Sequence, residues 1–313
     1  MTSHWSSPSW LSITSTNVGH EKLRQGAKPD YSFQRLSRRL TPALCPMGGV
    51  MESPQNLLEM ALARAAAEPA TRPEFYRLLL ESEVYVIGHT DVPGDGRTTI
   101  PSGAKLSIVN WEKKDGKPFI PFFSSLESLQ RVLKAEARFV AMPARNFFEI
   151  TRGATLILNP ALSHGKEFFP SEIDALLATG VNHVATERVV QKATKVLLGQ
   201  PANYPSEMVS SLTSLLAKHP NVKAAYLCLM HDAESTSAPV LVVGFDGGSD
   251  IKAAMREAGA VAADTAPRGQ PVDFVEIKHG EAGVSDYLVK SVKPFYERSW
   301  GAKLRSMFPP SRA

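Results

Sequence analysis

The residues of this 313-residue chain that could do chemistry are varied in type and poorly arranged for it. Beyond residue 50 the histidines are His89, His164, His183, His219, His231 and His279, and none has the four-residue helical spacing to a second ligand that a zinc-binding HExxH motif needs. His279-Gly280-Glu281 matches the H-x-E half of a zinc deaminase signature, but no PCxxC follows to hold the metal. Gly116-Lys117 and Gly165-Lys166 lack the earlier glycine of a phosphate-binding loop, and neither GxSxG nor GxGxxG occurs. In "GFDGGSD" (244–250) glycines precede a predicted helix, where backbone N–H groups can cradle phosphate. Asp246 and Asp250 flank those glycines and would repel an anion, so Ser249 or Asp250 is read as a helix cap. Cys45 and Cys228 form no CxxC, which excludes a disulfide framework and a Cys-based zinc site and fits a reducing cytoplasm. Cys228, within "AAYLCLM", reads as a small buried hydrophobe. No catalytic, cofactor-binding or metal-binding residue is assigned.

What remains is a set of candidate contacts for a partner or ligand: Trp111, Arg145, Glu149, Lys166, Glu167, Glu297 and Arg298. Arg145 and Glu149 stand four apart on one helical face just after a strand end. That spacing suits either an exposed ion pair or a recognition spot at a strand-to-helix junction. Trp111 sits mid-strand, where an aromatic usually packs across strands.

Two cycles of elements must position these residues. In the first, "SPQNLLEMALARAAAE" is a helix with Ser53 as N-cap and Pro54 at its first position, and "TRPEFYRLLLES" is a second. "EVYVIGH" is a strand, and "LSIVNWEK" and "PFIPFF" form a hairpin around Asp115-Gly116. A helix capped by Ser124 follows, then strand "RFVAMP", a short helix closed by Gly153, strand "ATLILNP", and a strand-helix pair capped by Ser171 and Asp174. The second cycle has strand 194–199, helix 205–218, paired strands "VKAAYLCLM" and "PVLVVGFD", helix 249–258, strand 272–278 and helix 284–293. In helix 205–218, Met208, Val209, Leu212, Leu215 and Leu216 line one face. Tyr296, Trp300, Leu304 and Phe308 continue the last stripe, which predicts a helix kinked or restarted at Pro294. The fold expected is α+β: two mixed α/β domains, the second a split βαβ-type antiparallel sheet with helices on one face. Its domains are 52–180 and 193–308, joined by a linker at 181–192.

Composition narrows the partners. The apolar fraction of 43% supports a real core, and no run approaches a membrane span. The formal charge is +4, but six of the 35 basic and two of the 31 acidic residues lie in 1–50, so the rest of the chain is neutral. A neutral body argues against broad nucleic-acid binding. Residues 1–50 are Ser-, Thr- and Pro-containing without sustained apolar periodicity; they are expected to be disordered, with Met51 as the true start.

"IPFFSSLESLQ" (120–130), "FVAMPARNFFEITRGATLILNP" (139–160), "GKEFFPSEI" (165–173) and "PFYERSWG" (294–301) resemble, in order, the SseB family of bacterial enhanced-serine-sensitivity proteins. "AAEPATRPEFYRLLLESEVYVIG" (66–88) fits the same family, so the resemblance spans about 52–308 and both family domains. It implies serine sensitivity on overproduction and supplies no catalytic residues to transfer. Gene neighbours in enterobacteria encode a rhodanese-like sulfurtransferase and iron–sulfur assembly proteins; that is an association of genes, so the expectation is a protein partner, with the sulfurtransferase one candidate. The expectation is a non-catalytic cytoplasmic interaction or regulatory protein. Two alternatives stand beside it: an enzyme with an inter-domain site from Arg145, Glu149, Lys166, Glu167 and Tyr296-Glu297-Arg298, and an amino-acid sensor.

Overall fold

The computed structural model describes residues 9–13, 32–35, 56–90, 96–99, 105–133, 135–183, 196–232, 238–248 and 251–298. The chain divides into two compact units, Met1–Ala66 with Glu74–Asn182, and Ala67–Pro73 with His183–Ala313. Together they make an α+β fold with two mixed sheets. Among the described residues no helix is long and apolar enough to cross a membrane.

The sheet of the first unit contains β1 (Ser9–Ile13), β2 (Ser32–Arg35), β3 (Glu83–Thr90), β4 (Gly96–Thr99), β5 (Leu106–Glu112), β6 (Pro118–Phe122), β7 (Phe139–Pro143), β8 (Leu156–Leu158) and β9 (Lys166–Phe168). They lie in the order β4-β2-β7-β3-β5-β6-β8-β9, with β1 along β5. Thus two stretches of the leader are strands in this sheet, while Met51, Ser53 and Pro54 lie outside the described residues. The β5–β6 hairpin forms as expected, with Trp111 opposite Phe119 and Gly116 at φ 79° in its turn. The β6–β8 pair is parallel, because α3 (Leu126–Val132), β7 and α4 (Ala144–Ile150) separate its strands in the chain.

Period-two alternation sends side chains to both faces of this sheet. Val84, Val86, Ile108, Ile120, Phe122, Val140 and Met142 pack with α1 (Leu57–Ala67), α2 (Arg72–Glu81), α4 and α5 (Pro170–Thr179). Ile87, Val109, Phe123 and Phe139 form a second cluster under Leu129 of α3. Three helix starts differ from expectation. α1 begins at Leu57, and the Asn56 side-chain oxygen accepts from the Glu59 N–H at 2.8 Å. Ser125 rather than Ser124 caps α3, accepting from the Ser128 N–H at 3.0 Å. Pro170 takes the first turn of α5, where its missing N–H costs nothing, so Ser171 and Asp174 lie inside the helix.

The second unit contains a 3₁₀ turn, Pro69–Thr71, with β10 (Val196–Gly199), α6 (Ser206–Leu216), β11 (Val222–Asp232), β12 (Val240–Gly247), α7 (Ile251–Thr265), β13 (Val272–Glu276), α8 (Val284–Ser291) and β14 (Tyr296–Glu297). Met208, Val209, Leu212, Leu215 and Leu216 are all buried, as their spacing predicts. The sheet runs β10-β11-β12-β13, with β14 beside β11. It is mixed rather than wholly antiparallel, because the 15 residues of α7 carry the chain back about 22 Å and return β13 parallel to β12.

Two further expectations are corrected here. Helices cover both faces of the second sheet: α6 and α7 pack on Ala225, Leu227, Leu241, Val243 and Phe245, whereas α8 packs its Leu288 on Cys228 and Val242. Gly244 makes room for α8, since a side chain there would overlap the Leu288 Cδ1 methyl. The stretch after α8 is not a restarted helix. α8 ends at Ser291, Val292 is already extended, and the chain continues so past Pro294, with Phe295 and Arg298 N–H groups donating to Ala225 and Lys223 carbonyls at 2.9 and 2.8 Å. Trp300, Leu304 and Phe308 lie outside the described residues.

Candidate functional site

The β7–α4 junction is built on aromatic anchors. Phe147 and Phe148 are fully buried against Phe122 and Phe168, with ring centroids 5.2 to 5.9 Å apart. The Ala144 N–H donates to the Ser82 carbonyl at 2.9 Å, which fixes the first turn of α4 to the end of α2. With that face committed, the helix turns Arg145, Glu149 and Ile150 outward, all three exposed. The expected Arg145–Glu149 ion pair does not form: among the described residues no salt bridge joins them. Two opposite charges and an aliphatic group thus stand in water on a rigid helix.

Lys166 and Glu167 sit at the β9 edge and are engaged locally. Lys166 pairs with Glu172 at 2.9 Å and stacks over Phe168, 4.8 Å from the ring centroid. Glu167 pairs with Lys113, and the Tyr76 hydroxyl lies 3.3 Å from Glu172. Trp111 is a packing residue, edge-on to Phe119 and Phe123 at 6.1 and 6.4 Å.

A buried polar centre in the first unit escaped the sequence reading. Glu59, in the first turn of α1, accepts hydrogen bonds on Oε1 from the hydroxyls of Ser124 (2.7 Å), Ser125 (3.1 Å) and Ser128 (2.6 Å). Asn159 accepts from the Ser124 N–H at 3.0 Å and donates to its hydroxyl at 2.8 Å. Asn159 and Ala161 hold positive φ, 50° and 65°, in the turn that presents this amide. Glu59, the three serines and Asn159 are all at most 8% exposed, so the carboxylate clasps α1 to the β6–α3 turn without access for a substrate. The doublet Ser124-Ser125 was visible, but local spacing assigned it to a cap and could not reveal a partner 65 residues away.

In the second unit Arg298 is a helix clasp. Its guanidinium donates to the carbonyls of Leu216 (3.1 Å), Ala217 (3.4 Å) and His219 (2.6 Å), at and just past the end of α6, and to that of Val222 (3.1 Å) at the start of β11. Replacing Arg298 by alanine should destabilise the chain by about 2 kcal/mol, read by urea unfolding. Lysine should recover only part, since an ammonium cannot span the same carbonyls. Glu297 is exposed and lies across from Ala224, which in turn faces Asp246. Burial, then the charges of Asp246 and Glu297, push the Tyr226 hydroxyl above its ordinary pKa. His279 lies 3.1 Å from Asp246 at the margin of this row.

Cys228 is fully buried, and desolvation raises its thiol from 9.0 to about 11. In a Cys45→Ser chain at pH 8, an aromatic disulfide reagent should label native Cys228 at least about a hundredfold more slowly than the unfolded thiol. The sign of the linkage is also set: the unfolded thiol ionises first, so this stabilising contribution is complete below pH 9 and is lost as pH rises towards 11. Among the described residues no group of three His, Cys, Asp or Glu side chains could hold a metal ion.

The candidates therefore separate into two units, Trp111, Arg145, Glu149, Lys166 and Glu167 in the first and Glu297 and Arg298 in the second. Comparison with known proteins bears on both. Residues 58–175 match the model of the SseB protein N-terminal domain, and residues 190–298 that of the SseB protein C-terminal domain. Protein SseB of Escherichia coli (strain K12) is 40% identical over 255 residues, covering 82% of this chain and 97% of that protein. Protein SseB of Shigella flexneri matches with the same identity and coverage. No solved structure matches. With both domain models matched in order and a 40% identical relative covered almost end to end, the chain belongs to the SseB family.

Proposed function

We propose that this chain works by binding rather than by catalysis, as a cytoplasmic interaction protein that regulates a protein partner through the exposed face of α4. The observation that carries this reading is the state of Arg145, Glu149 and Ile150. They are exposed, and among the described residues no salt bridge engages Arg145 or Glu149, on a helix whose other face is locked by Phe147 and Phe148. Charged groups on a helix anchored by its other face start from fixed backbone positions and set the register of a complementary surface, at the cost of ordering their own side chains. By contrast Lys166, Glu167 and Arg298, which the enzymatic alternative needs, are spent on ion pairs and helix carbonyls. The partner to test first is a rhodanese-like sulfurtransferase, and the cellular effect to test is serine sensitivity.

The test is overproduction of the wild-type chain and of an Arg145→Glu/Glu149→Arg variant at matched levels in bacteria grown with excess serine. Growth inhibition by the wild type alone is expected. Equal inhibition by both, with the variant folded, removes α4 from the mechanism.

A further inference from the structure

We infer that residues 67–73 are a docking peptide for the second unit, seated against α6 and α7, and that this unit is incomplete without them. The segment lies 110 or more positions ahead of the rest of its unit, yet it is built into that unit's core. Ala70 is 1% exposed and shares a cluster with Leu212, Leu215 and Leu216 of α6 and Ala258 and Ala262 of α7. The turn is closed on itself: the Thr71 N–H and hydroxyl both donate to the Glu68 carbonyl, at 3.0 and 2.8 Å. Pro69 stands at its first position, where the missing N–H is harmless. Two polar contacts set the direction of the peptide. The Lys218 ammonium donates to the Ala70 carbonyl at 3.3 Å, and the Arg72 guanidinium pairs with Asp264 at 2.5 Å.

These contacts define what the slot accepts. It takes a short 3₁₀ segment with a small residue at its centre, whose own carbonyl accepts from Lys218, and a cation two residues on. A larger or charged central residue has no room among the leucines of α6 and the alanines of α7. Both family domain models, at 58–175 and 190–298, divide the chain so that this peptide falls with the first domain while its slot is in the second. The C-terminal domain as cut from the sequence therefore lacks a piece of its own core.

The test uses the full chain carrying Ala70→Asp, followed by amide hydrogen exchange. Exchange in α6 and α7 should rise about tenfold or more, with β3 and β7 unchanged, because a buried carboxylate expels the segment. An excess of synthetic peptide spanning residues 66–74 should restore protection in α6 and α7, and the same peptide with Ala70→Asp should not. Unchanged exchange in the variant, or no restoration by the native peptide, overturns the inference. Should Ala70→Asp fail to fold, Arg72→Glu and Asp264→Arg provide the second reading. Each alone should raise exchange in α7 severalfold and the pair together should return it, whereas additive losses would contradict docking through that contact.

Discussion

Replacing Glu59 by alanine should remove about 3 kcal/mol from the stability of the first unit, one of the two largest single-residue effects expected in that unit. The carboxylate is the common acceptor for three serine hydroxyls that are themselves buried. Deleting it takes the acceptor from the Ser128 hydroxyl and leaves those of Ser124 and Ser125 to Asn159 Oδ1 at 3.2 Å and the Ser128 hydroxyl at 2.9 Å. Alanine is the better helix former, so the loss cannot come from helix propensity. Glutamine should cost less, about 1 to 2 kcal/mol, because its carbonyl can still accept while its amide needs a new partner. Urea unfolding of Glu59→Ala, Ser128→Ala and the double variant isolates the contact. A coupling energy near zero would mean the clasp is incidental.

The second large effect is Gly88→Ala, also expected at about 3 kcal/mol. At an ordinary strand position this substitution is neutral or stabilising, because glycine loses more freedom on folding. At Gly88 the added methyl would overlap the carbonyl oxygen of Ser107 on the paired strand β5. That oxygen is backbone in a paired strand, so nothing flexible can yield. Gly88 is held on the opposite side as well, its N–H donating to the Arg138 carbonyl at 3.0 Å. Gly199→Ala is the control: no atom lies within 4 Å of the new methyl and its φ is ordinary, so thermal unfolding should show no loss. A Gly88→Ala protein as stable as wild type would mean that β3 and β5 can separate at little cost.

Periodicity makes much of this fold legible in the sequence. The five-residue stripe of α6 is buried in full, and the β5–β6 hairpin turns at the expected Asp115-Gly116. Those features are local, set by residues within one turn or one strand of each other. The misreadings share the opposite character. A stripe of apolar residues specifies that a helix has a buried face but not which sheet face receives it, and α8 packs on the face opposite to α6 and α7. Tyr296 continued a four-residue period and is buried, yet it belongs to a strand, because Pro294 and the open edge of β11 outweigh the pattern.

The same distinction governs the site. Arg298 looked like a surface charge because its acceptors lie 76 to 82 residues earlier in the chain. The acceptor role of Glu59 is hidden for the same reason, since the serines it binds lie 65 to 69 residues further on. What the sequence did expose was the α4 motif, where the anchors Phe147 and Phe148 and the outward pair Arg145 and Glu149 occupy one short helix. Its missing ion pair is a geometric fact that four-residue spacing cannot decide.

The most direct test of binding through α4 is a calorimetric titration of the purified chain with a purified rhodanese-like sulfurtransferase. Wild type should bind saturably, and Arg145→Glu/Glu149→Arg should lose about tenfold or more in affinity while unfolding at the same urea concentration. No heat of binding at tens of micromolar protein, or equal affinity for both chains, would contradict it.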